Sequence, residues 1–108
     1  SCSPDAEVGA YWKRLSKFLY TDLADAAKTG QPTAGSEDDK KLFALAKIGT
    51  LFGVGGATTA NPLAKATDHA SAKSQASKIN VEISKRCSVA ALTKLLDEIS
   101  TATGRSVP

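Results

Sequence analysis

The 108-residue chain is 42% hydrophobic and 23% charged, with a formal net charge of +3. That is the balance of a globular protein, and the charge is too small to argue for nucleic acid by itself. The fourteen Lys and Arg residues are spread from Lys13 to Arg105, so a solvated surface accounts for them better than a nucleic-acid patch. No apolar run reaches transmembrane length. Strand formers are sparse, and the composition predicts a single helical domain over residues 1–108.

The first helix is predicted over about residues 4–29. Ser3-Pro4-Asp5 supplies a cap, a first-position proline and an acid in the first turn. Val8, Tyr11, Trp12, Leu15, Phe18, Leu19 and Leu23 follow at helical spacing, Ala26 and Ala27 extend the stripe, and Gly30 ends it. Trp12 is expected in the core and Tyr11 at its boundary. Lys13, Arg14 and Lys17 fall off the stripe and should face water. Tyr20 falls beside Lys13 and Lys17, so these three residues form a candidate interface.

A Pro/Gly linker, Gln31 to Gly35, leads to Ser36-Glu37-Asp38-Asp39, a cap with acids in the first turn, and a second helix over 37–52. Leu42, Leu45, Ile48 and Phe52 form its apolar face. Phe43, Ala46 and Leu51 are expected to widen that face into a largely buried helix. Gly49 and Gly53 form a GxxxG, which reads as close core packing or, less simply, as part of a membrane-active hairpin. Gly53, Gly55 and Gly56 follow a helix rather than a strand and lack the lysine of a phosphate-binding loop, so they read as a hinge.

Asn61-Pro62 resembles another cap with a first-position proline, which predicts a third helix over 62–86 with the stripe Ala66, Ala72, Ala76, Ile79 and Ile83. No Gly or Pro separates it from Val89, Leu92, Leu95, Leu96 and Ile99. At about 100° per residue, Leu92 lies about 180° around from Ile83. A break is therefore expected near Cys87-Ser88, followed by a fourth helix over 89–103 that Gly104 ends.

The sequence contains no Met, and the chain reads as a processed product whose signal peptide has been removed. Cys2 and Cys87 fit no redox or zinc spacing. They read best as one disulfide formed in an oxidising compartment, which predicts a secreted or cell-surface protein. The rival is a lipidated Cys2, as in bacterial lipoproteins, with Cys87 a lone thiol and a membrane close by. A Cys2–Cys87 bond would require the third helix to run antiparallel to the first, because bridged Cα atoms lie within about 7 Å. The expected fold is therefore an all-α four-helix bundle with one crossover connection, over Gly53–Asn61, closed by a disulfide.

Chemical motifs are few. His69 is the only histidine and follows Asp68. It has no recognisable nucleophile or metal-ligand spacing around it, and it is a candidate ligand contact at most. No catalytic residue, metal site or cofactor is expected. The early Cys2 and the segment Ile79-Asn80-Val81-Glu82-Ile83-Ser84-Lys85-Arg86-Cys87, where a helix ends at a cysteine, resemble in layout the small exported helical proteins and lipoproteins of actinobacteria. That resemblance implies export and a helical fold and carries over no functional residue. The reading that follows is a secreted or surface-tethered binding module, not an enzyme, engaging a protein or a small apolar ligand. The alternative is a membrane-active, bacteriocin-like protein that uses helix 42–57.

Overall fold

The computed structural model describes residues 2–108. It is all-helical, with no strand among those residues. Four helices form the bundle: α1 (Ala6–Lys17), α2 (Glu37–Phe52), α3 (His69–Ile83) and α4 (Val89–Thr103). The bounds of α2 and α4 coincide with those the capping residues predict. Ser36 accepts from the Asp39 amide and Ser88 from that of Ala91, while Gly53 and Gly104 close the two helices in the left-handed conformation (φ 63° and 68°).

The first helix begins later than the Ser3-Pro4 pattern suggests, because Asp5 is its cap and accepts from the Val8 amide at 2.8 Å. It does not end at Lys17. The chain continues through a π-helical turn, Phe18–Leu23, and a 3-10 turn, Ala24–Ala27. The π-turn has a packing reason. In an unbroken α-helix the inward set Val8, Leu15, Phe18, Leu19 and the later set Leu23, Ala24, Ala26, Ala27 would be centred about 100° apart, the angle of one residue. A wider turn takes up that residue, and both sets are buried.

The third helix departs most from expectation. It spans His69–Ile83 rather than 62–86. Asn61-Pro62 belongs to a tight turn, in which the Thr58 amide donates to the Asn61 carbonyl and the Asn61 amide donates back to Thr58. The true cap is Asp68, which forms a reciprocal capping box with Ser71. Residues between this turn and Asp68 stay non-helical because tertiary partners hold them: Leu63 lies over Gly49, Lys65 pairs with Asp39, Ala66 is buried, and Gln75 donates to the Ala64 carbonyl at 3.0 Å. The crossover thus extends to Asp68 instead of ending at Asn61. At its other end α3 stops at Ile83, and Ser84 to Cys87 form the expected break before the Ser88 cap.

Contacts at the two ends fix the directions. At one end Cys2 is bonded to Cys87 (Cα–Cα 5.8 Å), the Trp12 indole N–H donates to the Arg86 carbonyl at 2.9 Å, and the Arg86 guanidinium lies 4.6 Å from the centre of the Phe52 ring. At the other end His69 meets Asp25, and Arg105 meets Glu37. So α1 and α4 run one way while α2 and α3 run the other, with the crossover joining the two parallel helices, as the disulfide argument requires. The bond also overturns the lipidated-Cys2 reading of this chain.

The core is one cluster drawing on all four helices. Leu15, Leu19, Leu23, Leu42, Leu45, Ile48, Ile79, Ile83, Leu92 and Ile99 are fully enclosed, each worth about 1.5–3 kcal/mol against exposure. Two expectations for α2 fail here. Phe43 and Leu51 do not widen its buried face; they are 47% and 40% exposed, because the core takes the Leu42/Leu45/Ile48 side and these two lie round toward solvent. Small residues make up the difference, with Ala44, Ala46 and Gly49 buried. Trp12 is likewise not core but half-buried at its edge.

Candidate functional site

The outer surface of α1 and its π-turn lies beside the C-terminal half of α3, and between them runs an open cleft of about 520 Å³. Trp12, Tyr20 and Ile83 give it apolar walls. Lys13 and Lys17 stand on its α1 rim, and Ser16, Thr21 and Asn80 present hydroxyl and amide groups. The three interface residues expected from sequence, Lys13, Lys17 and Tyr20, therefore come together in one groove. They do so because positions just off an apolar stripe flank the contact that the stripe makes.

The two aromatic walls make contacts within the fold. The Trp12 ring is anchored by its hydrogen bond to Arg86. Tyr20 is half-buried within the π-turn, and the Lys73 ammonium sits 5.5 Å from its ring centre. Lys13 and Lys17, by contrast, have no carboxylate within ion-pairing distance among the described residues.

Beyond Tyr20, toward the opposite end of the bundle, is a polar cluster. Asp25 Oδ1 lies 2.8 Å from His69 Nε2 and 3.2 Å from Lys73 Nζ. The His69 hydrogen bond, joined by Lys73, holds the Asp25 carboxyl below its ordinary range, against an opposing contribution from partial burial. His69 is thus drawn to a carboxylate on the neighbouring helix, where the cluster pins the start of α3 to the end of the first helix. No hydroxyl or thiol completes a relay on its other ring nitrogen among the described residues, and no group of three or more His, Cys, Asp or Glu there could hold a metal ion.

A second surface lies between α2 and α4. Lys40, Phe43 and Lys47 line its wider part together with Arg105, which is paired to Glu37. Leu51 faces Asp97 and Glu98 in a smaller neighbouring hollow. Phe43 is covered on one side by Lys65, 4.8 Å from its ring centre. Sequence reasoning missed this surface by assigning Phe43 and Leu51 to the core. It also missed Ser16, Thr21 and Asn80 in the first groove, which only the pairing of α1 with α3 brings together.

No protein-family model matches the chain, and no curated protein or solved structure is significantly similar to it.

Proposed function

We propose that this protein is an exported helical binding module that engages a protein partner through the groove between α1 and α3. The observation that carries the reading is the combination of apolar walls, Trp12 and Tyr20, that already hold contacts within the fold, with two lysines that have no ion-pair partner among the described residues. Preformed apolar surface lowers the ordering cost of binding, and aromatic residues with a polar rim are typical of recognition patches. The disulfide fits an oxidising compartment and hence export. A photo-crosslinking residue at Thr21 or Ser84, in protein applied to the cells that make it, should give a discrete adduct, and the same residue at Thr93 on α4 should not. Equal labelling at both places, or none at either, would count against the groove.

One observation favours a second reading, action at a membrane surface. Lys40, Phe43, Lys47 and Leu51 form a basic and apolar stripe along the outer side of α2. Among the described residues no helix is long and apolar enough to cross a membrane, and the main apolar face of α2 is turned into the core, so such action would be peripheral. Leakage or sedimentation with anionic vesicles, lost in Phe43→Glu, would support it.

A further inference from the structure

We infer that the ligand of the α1–α3 groove is an extended, acidic peptide segment, with carboxylates at alternate positions on either side of an apolar residue. This rests on the groove being the binding site, and three features of its chemistry narrow the occupant.

The first is charge. Lys13 and Lys17 rim the groove on one side and have no ion-pair partner among the described residues, and none of the described residues that line it is acidic. Two unneutralised ammonium groups one helical turn apart are complementary to two carboxylates at a similar spacing. Lys13 and Lys17 are separated by about 6 Å along the helix axis, and alternate residues of an extended chain by about 6.6 Å.

The second is hydrogen bonding. The side chains of Ser16, Thr21 and Asn80 make no hydrogen bond to other described residues, and all three face the groove. An extended segment that adds to no sheet must find partners for its backbone N–H and C=O groups. A hydroxyl and an amide, each able to donate and accept, meet that need. A helical ligand satisfies its own backbone and would have no use for them.

The third is the shape of the apolar surface. Trp12 and Tyr20 lie eight residues apart, about 12 Å along the axis, room for about four extended residues. Lys73 occupies one face of the Tyr20 ring, which narrows the flat platform that a sugar ring would need. An aliphatic side chain between Trp12, Tyr20 and Ile83 needs no such platform.

The test is selection of random heptapeptides displayed on phage against the immobilised, disulfide-bonded protein, followed by titration of the selected peptides against Trp12 fluorescence, the chain having one tryptophan. Enriched sequences should carry two Asp or Glu residues with one apolar residue between them. Affinity should fall at least about tenfold in Lys13→Glu/Lys17→Glu, a change at two exposed positions that circular dichroism should show to leave the fold intact. It should also weaken as salt is raised. Enrichment of basic or uncharged peptides, binding that is indifferent to the charge reversal, or no enrichment would overturn the inference. So would preferential binding of polygalacturonate or of phosphatidylglycerol vesicles over acidic peptide in the same titration. Crosslinking at Thr21 together with failure of acidic peptides would leave the groove as a binding site and reject only this ligand class.

Discussion

Gly49 is buried in α2 where the crossover passes over it, and a Cβ placed there would lie 2.7 Å from the Leu63 Cδ2 atom. The obstacle is the end of a flexible side chain, and Ala gains about 1 kcal/mol over Gly in a helix interior. The two effects nearly cancel, so Gly49→Ala should change stability by under about 1 kcal/mol. Gly49→Val has no such room and should cost about 1–3 kcal/mol through overpacking. Urea unfolding of the two variants distinguishes close packing at Gly49 from an open position, where both changes would be mild. Trp12 gives a second residue-level test. Its N–H bond to Arg86 ties α1 to the elbow before α4, and Trp12→Phe keeps most of the ring while losing that bond. The expected cost is about 0.5–1.5 kcal/mol, less than truncation of an enclosed residue such as Leu15, at about 2–5 kcal/mol. A loss for Trp12→Phe as large as for Leu15→Ala would place the indole in the core after all.

At the level of elements, three carboxylates hold segments together. Asp25 joins the end of the first helix to α3, Glu37 joins α2 to Arg105 after α4, and Asp39 joins α2 to Lys65 in the crossover while accepting from the Gly35 amide. All three titrate below their ordinary range, chiefly through hydrogen bonds from His69, Arg105 and Lys65 respectively. A carboxylate with a depressed folded pKa stabilises fully above its unfolded value, near pH 4, and the contribution is lost as pH falls through the folded value. Melting temperature should therefore drop as pH falls below about 4, and the drop should be shallower in Asp39→Asn. A melting temperature that rises on acidification would contradict this arrangement.

The helices themselves were largely legible in sequence. Ser36, Gly53, Ser88 and Gly104 marked both ends of α2 and α4, and the phase reversal between Ile83 and Leu92 located the break between α3 and α4. What sequence missed has physical causes. Asn61-Pro62 carries the chemistry of a helix start but is used in a turn, and Asp68–Ser71 is a capping box without the usual Glu or Gln. The one-residue phase slip after Leu19 was present in the pattern, but the stripe reads as continuous, so the π-turn at Phe18–Leu23 was missed. It yields its own test: deleting Thr21 should convert the π-turn to ordinary helix while leaving the later residues facing the core, so unfolding should stay cooperative. Deleting Ala46 from regular α2 should abolish folding, because it rotates half of the core set by about 100°. Of the candidate site, Lys13, Lys17 and Tyr20 were legible because all sit on one helix. Asn80 and the Asp25–His69 contact were not, since they depend on which helices become neighbours.

At the scale of the whole molecule, the Cys2–Cys87 bond closes a loop with a sequence separation of 85 and sets the direction of the chain. With α3 held antiparallel to α1, the return from the end of α2 to the start of α3 has to travel the length of the bundle, and the segment from Gly53 to Asp68 does so as a short 3-10 turn, Val54–Gly56, followed by irregular chain. Such a connection is long to order, and the bond lowers that cost by restricting the unfolded ensemble. In the chain-entropy treatment a loop of this size stabilises by about 4.5 kcal/mol, a large share of the roughly 5–10 kcal/mol typical of a small domain. One kcal/mol shifts the melting temperature of such a domain by about 4–8 °C, so reduction, or Cys2→Ala/Cys87→Ala, should lower it by on the order of 20 °C or more. The loss should begin where the bond acts, with hydrogen-exchange protection falling first around Val8 to Trp12 and the Arg86–Ser88 elbow. Because Trp12 walls the groove and is held by the Arg86 carbonyl, its fluorescence should register the same loosening. A drop under about 5 °C, with protection at the elbow unchanged, would mean that packing of α1 against α3 fixes this end by itself and that the bond adds little to the native state.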